Sequence, residues 1–296
     1  MKFKATLGLL LFSITLLAQD NIQDEIFSNA HGLKRGTSLY FEVEGYDVFT
    51  YDFDNLYFDK KGIKKAKKKF KIEKENSGNV DSISGIQNKY FVTDYKYADN
   101  LNQKSVFYFI PTANNKIKTI AFSRALERDI DIERLFVKSI INETIPASVY
   151  TQPNTDSVPF AGRFIYLGGA CRWMSPHNVQ CPDFGQISWS TFRTIDDAKK
   201  SAETHFLITS NKAIGKVLEK DSVNVIFEGV ETKALKTKYK IKIPQLIMGG
   251  SNVLIIYYVA EEIRGTNIAC VMSQYTDDVN ANDLAPLLQE VMELKE

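Results

Sequence analysis

Alternating apolar and polar positions open the chain's ordered part. From Thr37 to Phe58 the sequence TSLYFEVEGYDVFTYDFDNLYF alternates with dense aromatics, which predicts two strands turning at Glu44-Gly45. The period then changes. Ile63, Ala66 and Phe70 recur at spacings of three and four, so Lys60–Glu75 reads as a helix, although Phe70-Lys71-Ile72 equally suits the start of a strand. Beyond a polar turn region at Ser77–Gly85, the segments Tyr90–Tyr97, Ser105–Ile110 and Ile117–Ser123 read as successive strands. Asp131 then caps a helix that runs through Asn142, with Ile132, Leu135, Phe136, Ser139 and Ile140 on one side.

Residues 146–162 hold three of the eight prolines together with Asn, Thr, Asp and Ser, a composition that suits a linker. After it come a strand at Arg163–Leu167, an irregular loop with Cys171 and Cys181, and a strand at Gln186–Phe192. Thr194 followed by Asp197 resembles a capping box and opens another helix. Val223–Glu228, Leu235–Ile243, Val253–Ile263 and Asn267–Tyr275 read as strands, and Asp283 starts a final helix that tolerates Pro286 in its first turn. The halves share an element order, with Ala121–Arg124 (AFSR) matching Val271–Gln274 (VMSQ) and Glu133 matching Asp283. An offset near 150 residues suggests internal duplication. The expected class is therefore α+β: two similar halves, 19–145 and 163–296, each a mainly antiparallel sheet packed by helices. Such an antiparallel sheet closing in strand-turn-helix is similar to the PsbP-like α/β fold, best in Val253–Glu293. That resemblance implies a non-catalytic binding or assembly protein.

The N-terminus changes the picture of location. Lys2 and Lys4 precede thirteen uncharged, mainly apolar residues, Ala5–Leu17, and polarity rises after Ala18, as in a secretory signal peptide over 1–18. Thirteen residues are too few to cross a bilayer, which takes about 20 helical residues. This leader, followed by Gln19 and a body rich in Lys, Asn, Ile, Phe and Tyr, resembles exported proteins of the Bacteroidota, and the resemblance implies a periplasmic or secreted protein. The 37 basic and 36 acidic residues leave a net charge of +1, which argues against a nucleic-acid partner. The balance is uneven, because Lys60–Lys74 holds nine lysines in fifteen residues. That segment suits contact with an anionic surface, against the plainer reading of a solvated helix face offset by Asp47, Asp52, Asp54, Asp59, Glu73 and Glu75.

The chemically unusual segment is Leu167–Phe192, which holds both tryptophans, two of the three cysteines and one of the three histidines. In an exported chain Cys171–Cys181 reads as a disulfide, with Cys270 the competing partner. Such a ring stabilises by about 2–3 kcal/mol through the unfolded chain. Arg172, Trp173, His177, Asp183 and Trp189 form the candidate binding loop, since Trp offers an apolar face and Arg a fork of donors. Cys171, His177, Cys181 and Asp183 have ligand types that suit zinc, but C-x5-H-x3-C matches no structural zinc pattern. No phosphate-binding loop, nucleophile elbow or H-E-x-x-H occurs. His31 and His205 have no evident partner, and no cofactor is implied. The leading expectation is a non-catalytic binding or envelope-assembly module with an unknown protein or small-molecule partner. Its alternative is a hydrolase using the Cys171–Asp183 loop with a metal or thiol.

Overall fold

The computed structural model describes residues 23–295 apart from 84, 99–100, 152–155, 168, 170, 183–184, 213–214, 244–250 and 276–282. The expected leader therefore lies outside the described residues. A helical segment, α1 (23–29), leads into the first half. Strands β1 (His31–Arg35), β2 (Ser38–Val43) and β3 (Tyr46–Tyr57) form a meander, followed by helix α2 (Lys60–Lys69). Strands β4 (Lys89–Ala98), β5 (Leu101–Pro111) and β6 (Lys116–Arg124) form a second meander, and helix α3 (Ile130–Ile141) closes the unit. All pairings are antiparallel, in the order β1-β2-β3-β6-β5-β4.

Local chemistry sets these boundaries. Glu44 and Gly45 take φ of 50° and 72°, the left-handed pair of a two-residue turn whose twist matches the flanking strands. The Asp59 carboxylate accepts from Gly62 N at 2.7 Å and caps α2, which ends at Phe70 without becoming a strand. Asp129, not Asp131, caps α3: its side chain accepts from Asp131 N and Ile132 N, so Asp131 already lies in the first turn. Alternation along β5 separates two cores. Phe107 and Phe109 face Ala66 and Phe70 of α2, whereas Val106 and Tyr108 join Phe136 and Val137 of α3 on the opposite face.

The second half begins with a hairpin, β7 (Ser157–Phe160) and β8 (Arg163–Tyr166). This corrects the linker expected over 146–162. Val158 and Phe160 are buried in the core, and Ala147–Val149 forms a 3-10 turn whose Val149 lies in the core of the first half. Strands β9 (Arg172–Ser175), β10 (Asn178–Cys181) and β11 (Gly185–Phe192) form a meander, helix α4 (Ile195–Ser210) follows, and β12 (Gly215–Phe227), β13 (Val230–Ile241), β14 (Val253–Ile263) and β15 (Thr266–Tyr275) complete the sheet. As the sequence indicates, Thr194 Oγ1 accepts from Asp197 N and caps α4.

The expected final helix is corrected too. Only one turn forms, α5 (Pro286–Gln289), and the chain then extends as β16 (Met292–Leu294) along β12. The Gln274 side chain holds Asp283 O and Ala285 N, which aims Leu287, Leu288, Val291 and Met292 into the core. The same apolar spacing that suits a helix thus serves a turn and an edge strand.

The strand order of the second sheet, β9-β10-β11-β15-β14-β13-β12-β16, follows that of the first sheet, with β12 and β16 added. In both halves the last strand of the first meander pairs with the last strand of the second. The helix between the meanders covers one face, with Ala198 and Ala202 of α4 lying where Ala66 of α2 does in the first half. The segment after the final strand covers the other face, and in the second half the β7–β8 hairpin joins it there.

Candidate functional site

Of the candidate loop residues, the structure brings few to a surface. Cys171 and Cys181 form a disulfide, with Cα atoms 4.0 Å apart, and Cys270 is a buried free thiol whose pKa burial pushes well up. The bond does not close an irregular loop. It staples the open end of the β9–β10 hairpin, where Gln180 pairs with Arg172. Trp189 is buried edge-on against Phe160, Trp173 is buried nearby, and Arg172 is exposed. Asp183 lies outside the described residues. Oxidation removes the two thiolates that the hydrolase and zinc readings need. Among the described residues no group of three His, Cys, Asp or Glu is placed to hold a metal ion.

His177 points elsewhere, into the seam between the halves. Its Nε2 lies 3.3 Å from Asp47 Oδ1 of β3, and burial lowers its pKa while Asp47 opposes the shift. The other two histidines converge on the same seam. Burial and then His177 lower His31 to about 4, and burial lowers His205, on α4, against the pull of Asp47. Polar groups also span this seam. Glu42 is fully buried, and its Oε1 accepts from Gly45 N at 3.2 Å and Thr191 N at 3.3 Å. Desolvation pushes its carboxyl well above the usual range. Glu44 accepts from Arg193 N at 3.0 Å, Arg193 pairs with Asp129 at 2.6 Å, and Arg35 donates to Trp173 O. Burial raises the Glu44 carboxyl as well. No single-sequence signal links residues that meet across 149 positions.

A second titratable cluster lies inside the first half. Glu133 is fully buried and takes a bidentate pair from Arg128, at 2.9 and 2.6 Å, and the hydroxyls of Tyr46 at 3.1 Å and Tyr108 at 3.3 Å. Asp129 N donates to the Tyr46 oxygen at 2.6 Å, and that hydroxyl has Glu133 Oε1 as its nearer acceptor, with Asp129 O at 3.5 Å. Both phenols are pushed up, first by desolvation and then by Glu133. Glu133 and both phenols are buried and the carboxylate oxygens are occupied, so this network is a polar core, linked through Tyr108 to the Asp81–Arg134 pair, and not an open site.

A cleft of about 1060 Å³ lies at the end of the first sheet, at the upper end of the size range of ligand pockets. The β1–β2 turn, the β5–β6 turn and the C-terminal end of α3 form it. Leu39, Ile140, Ile145 and Tyr150 give it an apolar floor, and Thr37, Thr112, Thr151 and the amines of Lys34 and Lys118 supply polar groups. Lys118 is held by Asp52 at 2.8 Å, whereas Lys34 is exposed. Desolvation and the nearby Glu143 raise the Tyr150 phenol. Tyr150 is seated by a bridge between β1 and the chain after α3, where Thr151 N donates to Gly32 O at 2.8 Å. Sequence reading missed this site because its lining comes from three turns spread over more than a hundred residues.

No family model matches the chain, and no curated protein matches it. Three solved structures are similar to it at low identity. One is a protein of Bacteroides thetaiotaomicron, 8% identical, covering 70% of this chain and 80% of its own at a TM-score of 0.28. DynU16, from the dynemicin biosynthetic locus, is 9% identical over 87% of this chain and 79% of its own, at a TM-score of 0.18. The di-domain ARO/CYC StfQ of the steffimycin biosynthetic pathway is 9% identical over 83% and 73%, at 0.16. Superpositions this loose carry no argument about fold or activity.

Proposed function

We propose that the chain is an exported, non-catalytic binding module of the cell envelope, and that the cleft beside α3 takes a small amphipathic ligand with an anionic end. The cleft carries the reading. It combines an apolar floor with three threonines and an exposed amine, the lining by which small-molecule sites bury a ligand and orient it. Lys34 is the group that receives the anionic end, since Lys118 is already engaged by Asp52. A binding role also accords with where the acids and bases lie: the Glu133 network is closed, and the loop thiols are joined to each other. We further read the parallel strand orders of the two halves as an internal duplication of one PsbP-like unit, with the added β12 and β16 widening the second sheet.

Anilinonaphthalene sulfonate, an aromatic body carrying one sulfonate, is a suitable probe. We expect saturable binding with blue-shifted emission in the native protein. Leu39→Lys, which fills the floor with a charge, should abolish it, and Lys34→Glu should weaken it about tenfold, roughly the 1.4 kcal/mol that corresponds to one decade. Lys34→Glu should keep the native melting temperature, whereas Leu39→Lys, at a side chain packed against the first-half core, should lower it while the native circular dichroism spectrum is retained. Binding unchanged by both substitutions would remove the cleft from consideration.

A further inference from the structure

We infer that the lysine face of α2 docks the protein on an anionic lipid bilayer. Lys60, Lys61, Lys64, Lys65 and Lys68 are all exposed. At 3.6 residues per turn they fall within about 140° of the helix circumference, opposite Gly62, Ile63 and Ala66, which dock on the sheet. Sequence alone suggests that six neighbouring carboxylates offset this charge, and the structure turns three of them to other partners. Asp47 faces His177, Asp52 pairs with Lys118 and Asp59 caps the helix. Among the described residues, no ion pair involves any of these five lysines. Residues 59–75 carry a surplus of six positive charges in a chain whose total is +1. The Asp59 carboxylate meets the positive end of α2, and no further acidic side chain follows in the first turn.

The shape of this charge selects the partner. Lysine is a hydrated point charge on a flexible stem, suited to a diffuse negative surface, whereas paired recognition of single carboxylates or phosphates favours the arginine fork. No arginine lies on α2, and its exposed face is convex and lines no concavity described here. Beside the N-terminal end of α2, Tyr57 is half exposed, and Lys116 Nζ lies 3.5 Å from its ring centroid. An amphipathic ring flanked by lysines is the side chain that settles at a bilayer's headgroup level. Because α2 and α3 pack on opposite faces of one sheet, docking through α2 leaves the cleft beside α3 facing away from the membrane.

The test uses the full mature chain and sedimentation with vesicles of phosphatidylcholine, with or without one third phosphatidylglycerol. Binding should require the anionic lipid. It should collapse as salt rises from about 0.1 to 1 M, which shortens the Debye length from about 10 to 3 Å. K60E/K64E/K68E should lower partitioning by on the order of 100-fold, given the contribution of each lysine near an anionic surface, while the melting temperature holds. The charge-matched control K199E/K216E/K233E, on exposed lysines of the second half, should retain most of the binding. Equal losses in both triple variants would overturn the assignment to α2. So would binding to polyglutamate or to DNA without binding to anionic vesicles. An excess of free inorganic phosphate that abolishes vesicle binding at constant ionic strength would assign the face to a soluble anion and overturn the bilayer.

Discussion

At the scale of single residues, the first half depends on one carboxylate. Glu133 accepts from two arginine nitrogens and two tyrosine hydroxyls in a space closed to water. Its removal leaves Arg128 without its carboxylate partner, the Tyr108 hydroxyl with only Asp81 Oδ2 at 3.2 Å and the Tyr46 hydroxyl with only the long contact to Asp129 O at 3.5 Å. Breaking a buried pair from one side costs about 3–5 kcal/mol, more than the net value of the pair itself. Glu133→Ala should therefore lower the urea midpoint by that equivalent. Glu133→Gln, which retains one oxygen acceptor, should fall between it and the native protein. Sequence indicates Glu133 as a first-turn residue that a helix dipole favours. Its burial arises from Tyr46 and Tyr108, which reach it from strands β3 and β5.

At the scale of elements, α2 shows how a helix of poor apolar content is held. It offers the sheet only Gly62, Ile63 and Ala66 from within its span, and Phe70 follows at its end, stacked on Phe107 at 5.1 Å between centroids. Gly62 is required by approach: a Cβ there would lie 1.9 Å from the Tyr57 carbonyl oxygen. Helix propensity alone would make Gly62→Ala stabilising by about 1 kcal/mol. We expect the reverse, a lower melting temperature with faster proteolysis inside 60–70, because the helix must lift off the sheet. Where the pattern is dense and local the elements are legible in sequence: the turn at Glu44-Gly45, the span of β14 and the Thr194 cap lie where the pattern puts them. Legibility fails where partners are distant. Trp173 and Val179 alternate inward on β9 and β10, but each strand has only four residues, too few to show a period. Likewise Glu42 and Glu44 alternate with Phe41 and Val43, the pattern of a solvent-facing side. They are buried because the second half covers that side.

At the scale of the whole molecule, the seam between the halves concentrates groups with opposite responses to pH. Burial depresses His31, His177 and His205, so the native protein holds them neutral. Between the native value of His31, about 4, and its unfolded value of 6.5, the unfolded chain binds more protons. The stability tied to the histidines is therefore complete above that window and is lost as pH falls through it. Glu42 and Glu44 act in the other sense. Raised above 4.5, they keep protons that the unfolded chain has released, so their contribution is complete in acid and declines as pH rises. The two sets oppose each other between about 4.5 and 6.5, which should flatten the native protein's melting temperature across that range. Substitution exposes each contribution. His31→Gln should raise the melting temperature in acid relative to the native protein and leave it unchanged above neutrality. Glu42→Gln keeps the acceptor that Gly45 N and Thr191 N use and mimics the protonated acid. It should gain on the native protein as pH rises above 4.5 and match it in acid. Calorimetry of the three proteins from pH 4 to 8 tests the account, since parallel curves would mean that neither group titrates with folding. If the curves diverge in these directions, the seam is the part of the molecule where pH acts on the contact between the halves.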